Sequence, residues 1–252
     1  MVIDRYLARH AYRPQGIVHV GAHRGGELRS YLALRPRRIV WVEADPALVE
    51  GLRATAASAR GDTEQIVIHA LITDEDGRET DFRRYSNDGG SSSVYASTEL
   101  LRARFPGVQE TGEVLSLASR RLDSVLREAG LAPADVDVLV LDIQGAELMA
   151  LRGAGEYLDA AAFVETEVST EEIYRDAPLA PELDAFLTSA GFERVTAQPW
   201  HGDVVYKRRG VGVRLSPGGA ARVAVRDVPR SVRRLGALGS RGVRMVARRL
   251  RA

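Results

Sequence analysis

Ile17-Val18-His19-Val20-Gly21-Ala22-His23-Arg24-Gly25-Gly26-Glu27 is the stretch from which the fold can be read. A short β-favouring run enters a glycine-rich turn and then a segment with helical spacing, which predicts strand, tight turn and helix. Glycines at that junction let backbone approach a ligand closely, and the helix start beyond it offers unpaired amides. The spacing G-x-x-x-G-G is neither the G-x-G-x-x-G of dinucleotide sites nor the G-x-x-x-x-G-K-[ST] of P-loops, which disfavours a pyrophosphate. A second predicted strand, Arg38 to Glu43, ends on an acid 22 residues after Gly21, where a carboxylate can accept hydrogen bonds from both hydroxyls of a ribose. The two features point to a nucleoside without a phosphate chain.

Outward from this unit, short β-rich runs alternate with amphipathic segments as far as Lys207, the pattern of a parallel sheet covered by helices on both faces. Further strands are expected at Gln65 to Ala70, Val138 to Asp142, Ala162 to Val168, Phe192 to Ala197 and Asp203 to Lys207. Helices are expected at Gly26 to Leu34, Pro46 to Ala57, Leu122 to Ala129, Ala146 to Leu151 and Pro181 to Ala190. The last two strands are too close in sequence for a parallel crossover, so the final one should run antiparallel. Ser86 to Ser119, containing SNDGGSSSVYAS, breaks the alternation and is expected to lie as a long connection over the carboxyl edge of the sheet, where ligands bind in open α/β folds.

The composition bounds the rest. A chain of 252 residues, 45% apolar and without cysteine, can bury a large core and has neither disulfides nor cysteine-bound zinc. Its longest apolar runs are about eight residues, far short of the ~20 that span a bilayer, and the N-terminus is broken by charge, so a cytoplasmic protein is expected. Charge is unevenly placed: Lys207 to Ala252 carries fourteen basic residues and one acid, net +13, against −12 on the remainder. Three regions follow: a helical segment at 1–15, an α/β domain at 16–207 and a basic tail at 208–252.

Several ordered motifs together carry a resemblance. RPQGIVHVGAHRGGEL, IVWVEADP, ALITDEDG, SNDGGSSSVY, RRLDSVL, VDVLVLDIQGAELMALRGA, ETEV and LDAFLTSAGFERV resemble the FkbM family of S-adenosylmethionine-dependent methyltransferases over roughly Pro14 to Lys207. The resemblance implies a Rossmann-like class I methyltransferase fold, α/β, with a seven-stranded, mostly parallel sheet whose last strand is antiparallel. It also implies O-methylation of sugars, polyketides or other secondary metabolites. S-adenosylmethionine fits the reading of a phosphate-free nucleoside, and its sulfonium and ammonium suit an acidic cleft.

Carried over by position, Gly21, Ala22, His23 and Gly25 match the cofactor loop, with His23 where an Asn is expected. Glu43, followed by Ala44, matches the ribose acid, and Asn87 to Ser93, including Ser92, matches a cofactor and substrate wall. Asp142, closing the fourth large strand, is placed to orient the acceptor hydroxyl, hold the cofactor ammonium, ligate a metal or cap the next helix. Glu165 and Glu167 share a strand face and with Asp142 are candidates for a Mg2+ site, with Glu147 as a further oxygen donor, although Gln144 is neutral where another carboxylate would help. An alcohol is a poor nucleophile until its proton is accepted, and Asp142, Glu165 and His201, the last in the turn before the final strand, are the candidate bases. His10, His19 and His69 read as structural.

Between Pro229 and Arg251 apolar residues gather on one side of a helical projection and arginines on the other, interrupted by Gly236, Gly239 and Gly242. This basic amphipathic segment suits docking on the acidic body or a homodimer interface; an anionic membrane surface and nucleic acid are the alternatives. The leading function is O-methylation of a small hydroxylated acceptor. RNA methylation, with the tail as its electrostatic footprint, and a non-catalytic interaction module are the competing readings.

Overall fold

A computed structural model describes residues 1–213 of the chain. The basic amphipathic segment of the tail lies outside the described residues. In chain order the elements are α1 Ile3–Arg9, β1 Gly16–Val20, α2 Leu28–Ala33, β2 Arg38–Glu43, α3 Pro46–Ala57, β3 Glu64–His69, β4 Leu71–Thr73, β5 Glu79–Tyr85 and α4 Glu99–Arg104. They continue with β6 Glu110–Arg121, α5 Leu122–Glu128, β7 Val138–Leu141, α6 Glu147–Arg152, α7 Glu156–Ala160, β8 Phe163–Ser169, α8 Ala180–Ser189, β9 Phe192–Arg194 and β10 His201–Arg208.

Seven strands form one sheet in the order β3-β2-β1-β7-β8-β10-β9. The pairs β2/β3, β1/β2, β1/β7 and β7/β8 are parallel, while β10 runs antiparallel to both β8 and β9. That is the expected seven-stranded sheet, and its reversed strand has the expected cause: only Val195 to Trp200 separate β9 from β10, too few residues for a crossover. Every residue of β1 and β7 is buried, as strands covered on both faces require. One apolar layer, including Val18, Leu126, Leu139, Leu151, Val164 and Leu187, fills one face. Ile17, Tyr31, Trp41, Leu52, Val140 and Phe163, with Ile3 and Leu7 of α1, fill the other.

Helix α3 begins at Pro46, with the Asp45 carboxylate accepting from the Ala47 amide at 2.9 Å, a cap that satisfies one of its free amides. The sense in which successive strands are added to the sheet reverses between β1 and β7, and the crevice outside their carboxyl ends is where such a sheet binds ligands.

The segment 86–119 is not one long connection. Its first part lies over the carboxyl edge, but α4 follows, and from Glu110 it becomes β6, the centre of a second, three-stranded sheet ordered β4-β6-β5. Most of β6 is exposed, so it lacks the period-two burial pattern that marks a strand in sequence. Among the described residues no helix is long and apolar enough to cross a membrane.

Candidate functional site

A cleft opens at the carboxyl ends of β1, β2 and β7. Gly21 turns the chain at the end of β1 with φ 82°, and its amide and that of Ala22 both donate to the Val42 carbonyl, at 2.9 and 3.0 Å. A Cβ at Gly21 would stand 2.0 Å from the Asp142 carbonyl oxygen, so backbone from β1 and β7 can meet here only over a glycine. His23 also has a left-handed backbone, φ 51°. That turn aims its amide at Glu43, whose Oε2 accepts at 2.7 Å, while Oε1 accepts from the Asp45 amide at 2.8 Å. Glu43 is 6% exposed, and burial pushes its carboxyl above the ordinary range, opposed by these two amides.

The opposite wall comes from the Ser86–Ser97 stretch, which contributes Gly89, Gly90, Ser92 and Val94. It is fastened to the glycine loop at Asp88. The Arg24 guanidinium donates to both Asp88 oxygens at 2.9 and 3.1 Å, and the His23 ring approaches the Asp88 carbonyl at 2.7 Å. Arg84, salt-bridged to Asp45 and Glu113, holds β5 against the start of α3.

Of the residues singled out in the sequence, Gly21, His23, Glu43, Ala44, Ser92 and Asp142 line the cleft. Ala22 is buried in the core, and Gly25 packs against Leu52 and Thr55. Asn87 is not on the wall: its amide group donates to Ser91 at 2.8 Å and its carbonyl accepts from the Ser91 amide, which shapes the turn. Ala70, Leu71, Ile72 and Phe82 form an apolar side of the cleft that sequence reading did not single out, since short apolar runs at the β3–β4 junction and in β5 look like ordinary core.

Asp142 follows β7 directly and does not cap α6. The amides of Ile143 and Gly145 are taken instead by Glu147, at 3.0 and 2.9 Å. Burial pushes the Glu147 carboxyl up to about 7, and the neighbouring charge of Asp142 adds to the rise. Asp142 Oδ1 accepts from Gln144 Nε2 at 2.8 Å, and the same nitrogen donates to Glu167 Oε2 at 2.8 Å. Tyr174 fixes the amide orientation by donating its hydroxyl to Gln144 Oε1 at 2.8 Å. Glu167 Oε1 in turn lies 3.5 Å from Nε2 of His201.

His201 is not in a turn but is the first residue of β10, buried and packed beside Phe105 and Trp200. Burial holds its imidazole below the usual range, partly offset by the charge of Asp142. His19 packs between Tyr31 and Trp41, His10 meets the Tyr6 carbonyl, and His69 meets that of Ala44.

Glu165 departs from its expected role. It is 1% exposed and accepts from the amides of Val2, at 3.0 Å, and Ile3, anchoring α1 to the sheet. Two residues further along the strand, Glu167 reaches Gln144 instead, because the strand's rise of ~3.3 Å per residue places the two carboxylates at different depths. Asp142, Glu165 and Glu167 therefore do not gather into a Mg2+ site, and among the described residues no group of three His, Asp or Glu side chains does.

The 2-O-methyltransferase NoeI of Sinorhizobium fredii (strain NBRC 101917 / NGR234) is 29% identical to this chain over 201 residues, covering 76% of this chain and 78% of that protein. Among solved structures, the magnesium protoporphyrin IX methyltransferase of Synechocystis PCC 6803 with bound SAM aligns with a TM-score of 0.43 at 10% identity, covering 82% of this chain and 76% of that one. The TehB-like SAM-dependent methyltransferase of Corynebacterium glutamicum ATCC 13032 aligns at 0.40 and 12% identity, covering 82% and 86%. The family model described as the methyltransferase FkbM domain matches residues 19–194, and the chain belongs to the FkbM methyltransferase family.

Proposed function

We propose that the chain is an S-adenosylmethionine-dependent O-methyltransferase acting on a hydroxyl of a small molecule. The observation that carries the reading is the character of the cleft: Glu43 and Asp142 face it, among the described residues no lysine or arginine lines it, and one side is apolar. Such a lining suits a ligand that is cationic, carries a purine and bears no phosphate. Glu43, aligned by the His23 and Asp45 amides, accepts the ribose hydroxyls through its remaining lone pairs. The apolar side around Leu71, Ile72 and Phe82 takes the base, and Asp142 lies where an ammonium is stabilised.

When bound, the cofactor supplies an electrophilic methyl group. What the protein adds is position and a place for the acceptor's proton. Asp142 stands at the cleft edge, connected through Gln144 to Glu167 and on to the buried His201. A histidine held below its usual pKa is neutral at pH 7 and able to accept a proton. The similarity to the 2-O-methyltransferase NoeI supports oxygen as the accepting atom.

The test is calorimetric titration with S-adenosylhomocysteine, followed by turnover of S-adenosylmethionine with a panel of hydroxylated metabolites. Saturable binding that is lost in Glu43→Ala, with turnover that is lost in Asp142→Ala while its cooperative thermal transition persists, is the expected result. Absence of binding by the wild type would sink the reading.

A further inference from the structure

A second, shallow and open pocket lies across Gln144 and Gly145 from the first cleft. Glu167, Ser169, Tyr174 and His201 contribute to its lining. Glu167 lines this second pocket and is linked to the first cleft through Gln144, which bridges its Oε2 to Asp142, while its Oε1 faces His201. Gln144 holds this position with a left-handed backbone, φ 57°, and its carbonyl accepts from the Ser93 hydroxyl at 2.7 Å. The His201 side chain is 8% exposed.

Beside His201 stands Trp200, 42% exposed, one of two large apolar side chains left open among the described residues. The indole is held in place: Phe105 stacks on it with ring planes 16° apart, and the Arg104 guanidinium sits 5.0 Å from the ring centroid while pairing with Glu171 at 3.3 Å. Its backbone carbonyl accepts from Thr170 at 2.8 Å, which fixes it at the rim of the cavity that Ser169 and Glu171 line. A fixed, exposed indole next to a pocket rich in hydrogen-bond acceptors suits a ligand with an apolar face and hydroxyl edges.

We propose that this second cavity receives the methyl acceptor, a hydroxylated saturated ring that lies on Trp200 and donates a hydroxyl hydrogen bond to Glu167. The assignment rests on the methyltransferase reading, because the cofactor cleft defines the side of Gln144 from which the methyl group comes. It places Glu167 as the group touching the acceptor and Gln144 as the positioning residue that keeps the two sites in register.

Trp41 is fully buried and Trp200 is the other tryptophan of the chain, so indole fluorescence reports on the rim. The protein saturated with S-adenosylhomocysteine is titrated with methyl α-D-glucopyranoside, methyl α-D-galactopyranoside and methyl α-L-rhamnopyranoside. A saturable emission change with at least one of them is expected, absent in Trp200→Phe. Calorimetry should show the affinity for that glycoside falling about tenfold or more in Glu167→Gln, the loss expected when a hydrogen bond to a charged group is removed. Trp200→Ala, a change at an exposed position, should weaken the glycoside by calorimetry and keep wild-type affinity for S-adenosylhomocysteine, which guards against a folding defect in the Glu167 variant. No saturable change with any of the three glycosides, or glycoside affinity unchanged in both Glu167→Gln and Trp200→Ala, would overturn the proposal. Failure of the wild type to bind S-adenosylhomocysteine would instead strike the cofactor reading, a result separable from the glycoside signal.

Discussion

Glu43, Glu147 and Glu165 are all buried, and each accepts hydrogen bonds from two backbone amides, yet they do different work. Glu43 faces a cleft, and in the proposed reading its ionised form accepts hydrogen bonds from a ribose. Its carboxyl is raised by burial, so S-adenosylhomocysteine affinity should fall as pH drops through that raised value, at a pH above the ordinary glutamate range. Calorimetry across pH checks this, and Glu43→Gln should show weaker binding without that pH dependence. Glu147 closes the loop before α6 and titrates at about 7 in the folded protein, against 4.5 for the ordinary group. Between those values the folded state holds the extra proton, so its burial penalty is present above pH 7 and relieved as pH falls. The stability of Glu147→Gln relative to wild type should therefore be greater at pH 8.5 than at pH 5.5, as read by urea denaturation at each pH. Glu165→Ala strands the Val2 and Ile3 amides and should cost about 2 to 4 kcal/mol in the same assay, with affinity for S-adenosylhomocysteine unchanged.

At the scale of elements, the strands and helices around the glycine turn were legible because burial on both faces leaves unbroken apolar runs in β1, β2 and β7, and because α3 carries its own Asp-Pro start. β5 and β6 were not legible, since exposed strands carry no such pattern and their pairing partners are distant in sequence. The stretch from Asn87 to Ser93 was marked as a wall by the family resemblance, which does not tell which of its residues face the cleft. Asn87 shapes the turn from within, while Gly89, Gly90 and Ser92 line the cleft. The wall is pinned through Asp88 to Arg24 and His23, a contact 67% exposed on the Asp88 side. Asp88→Ala should accelerate S-adenosylhomocysteine dissociation about two- to fivefold in stopped-flow measurements, with little change in Tm, because exposed ion pairs contribute little to global stability.

For the molecule as a whole, every described residue lining the cleft falls between Val20 and Ala146. A chain ended at Val213 should therefore keep its affinity for S-adenosylhomocysteine within about twofold by calorimetry. Removing residues 214–252 takes away a net +10 and leaves a body of net −9, which should bind anion-exchange resin at neutral pH more tightly than the full chain. The succession of strands and helices along the chain, the reversed last strand and the glycine turn after the first strand were legible in the sequence alone, through hydrophobic periodicity, connection length and the placing of glycines. Those are local properties, written residue by residue along the chain. What became of each carboxylate was decided only in the tertiary structure: Glu165 tied to the N-terminal helix, Glu167 joined through Gln144 to Asp142, and His201 buried at the start of β10. A polar side chain's role depends on what stands within about 3 Å of it, and for Glu167 and Glu165 those neighbours lie 23 and 163 positions away in the chain.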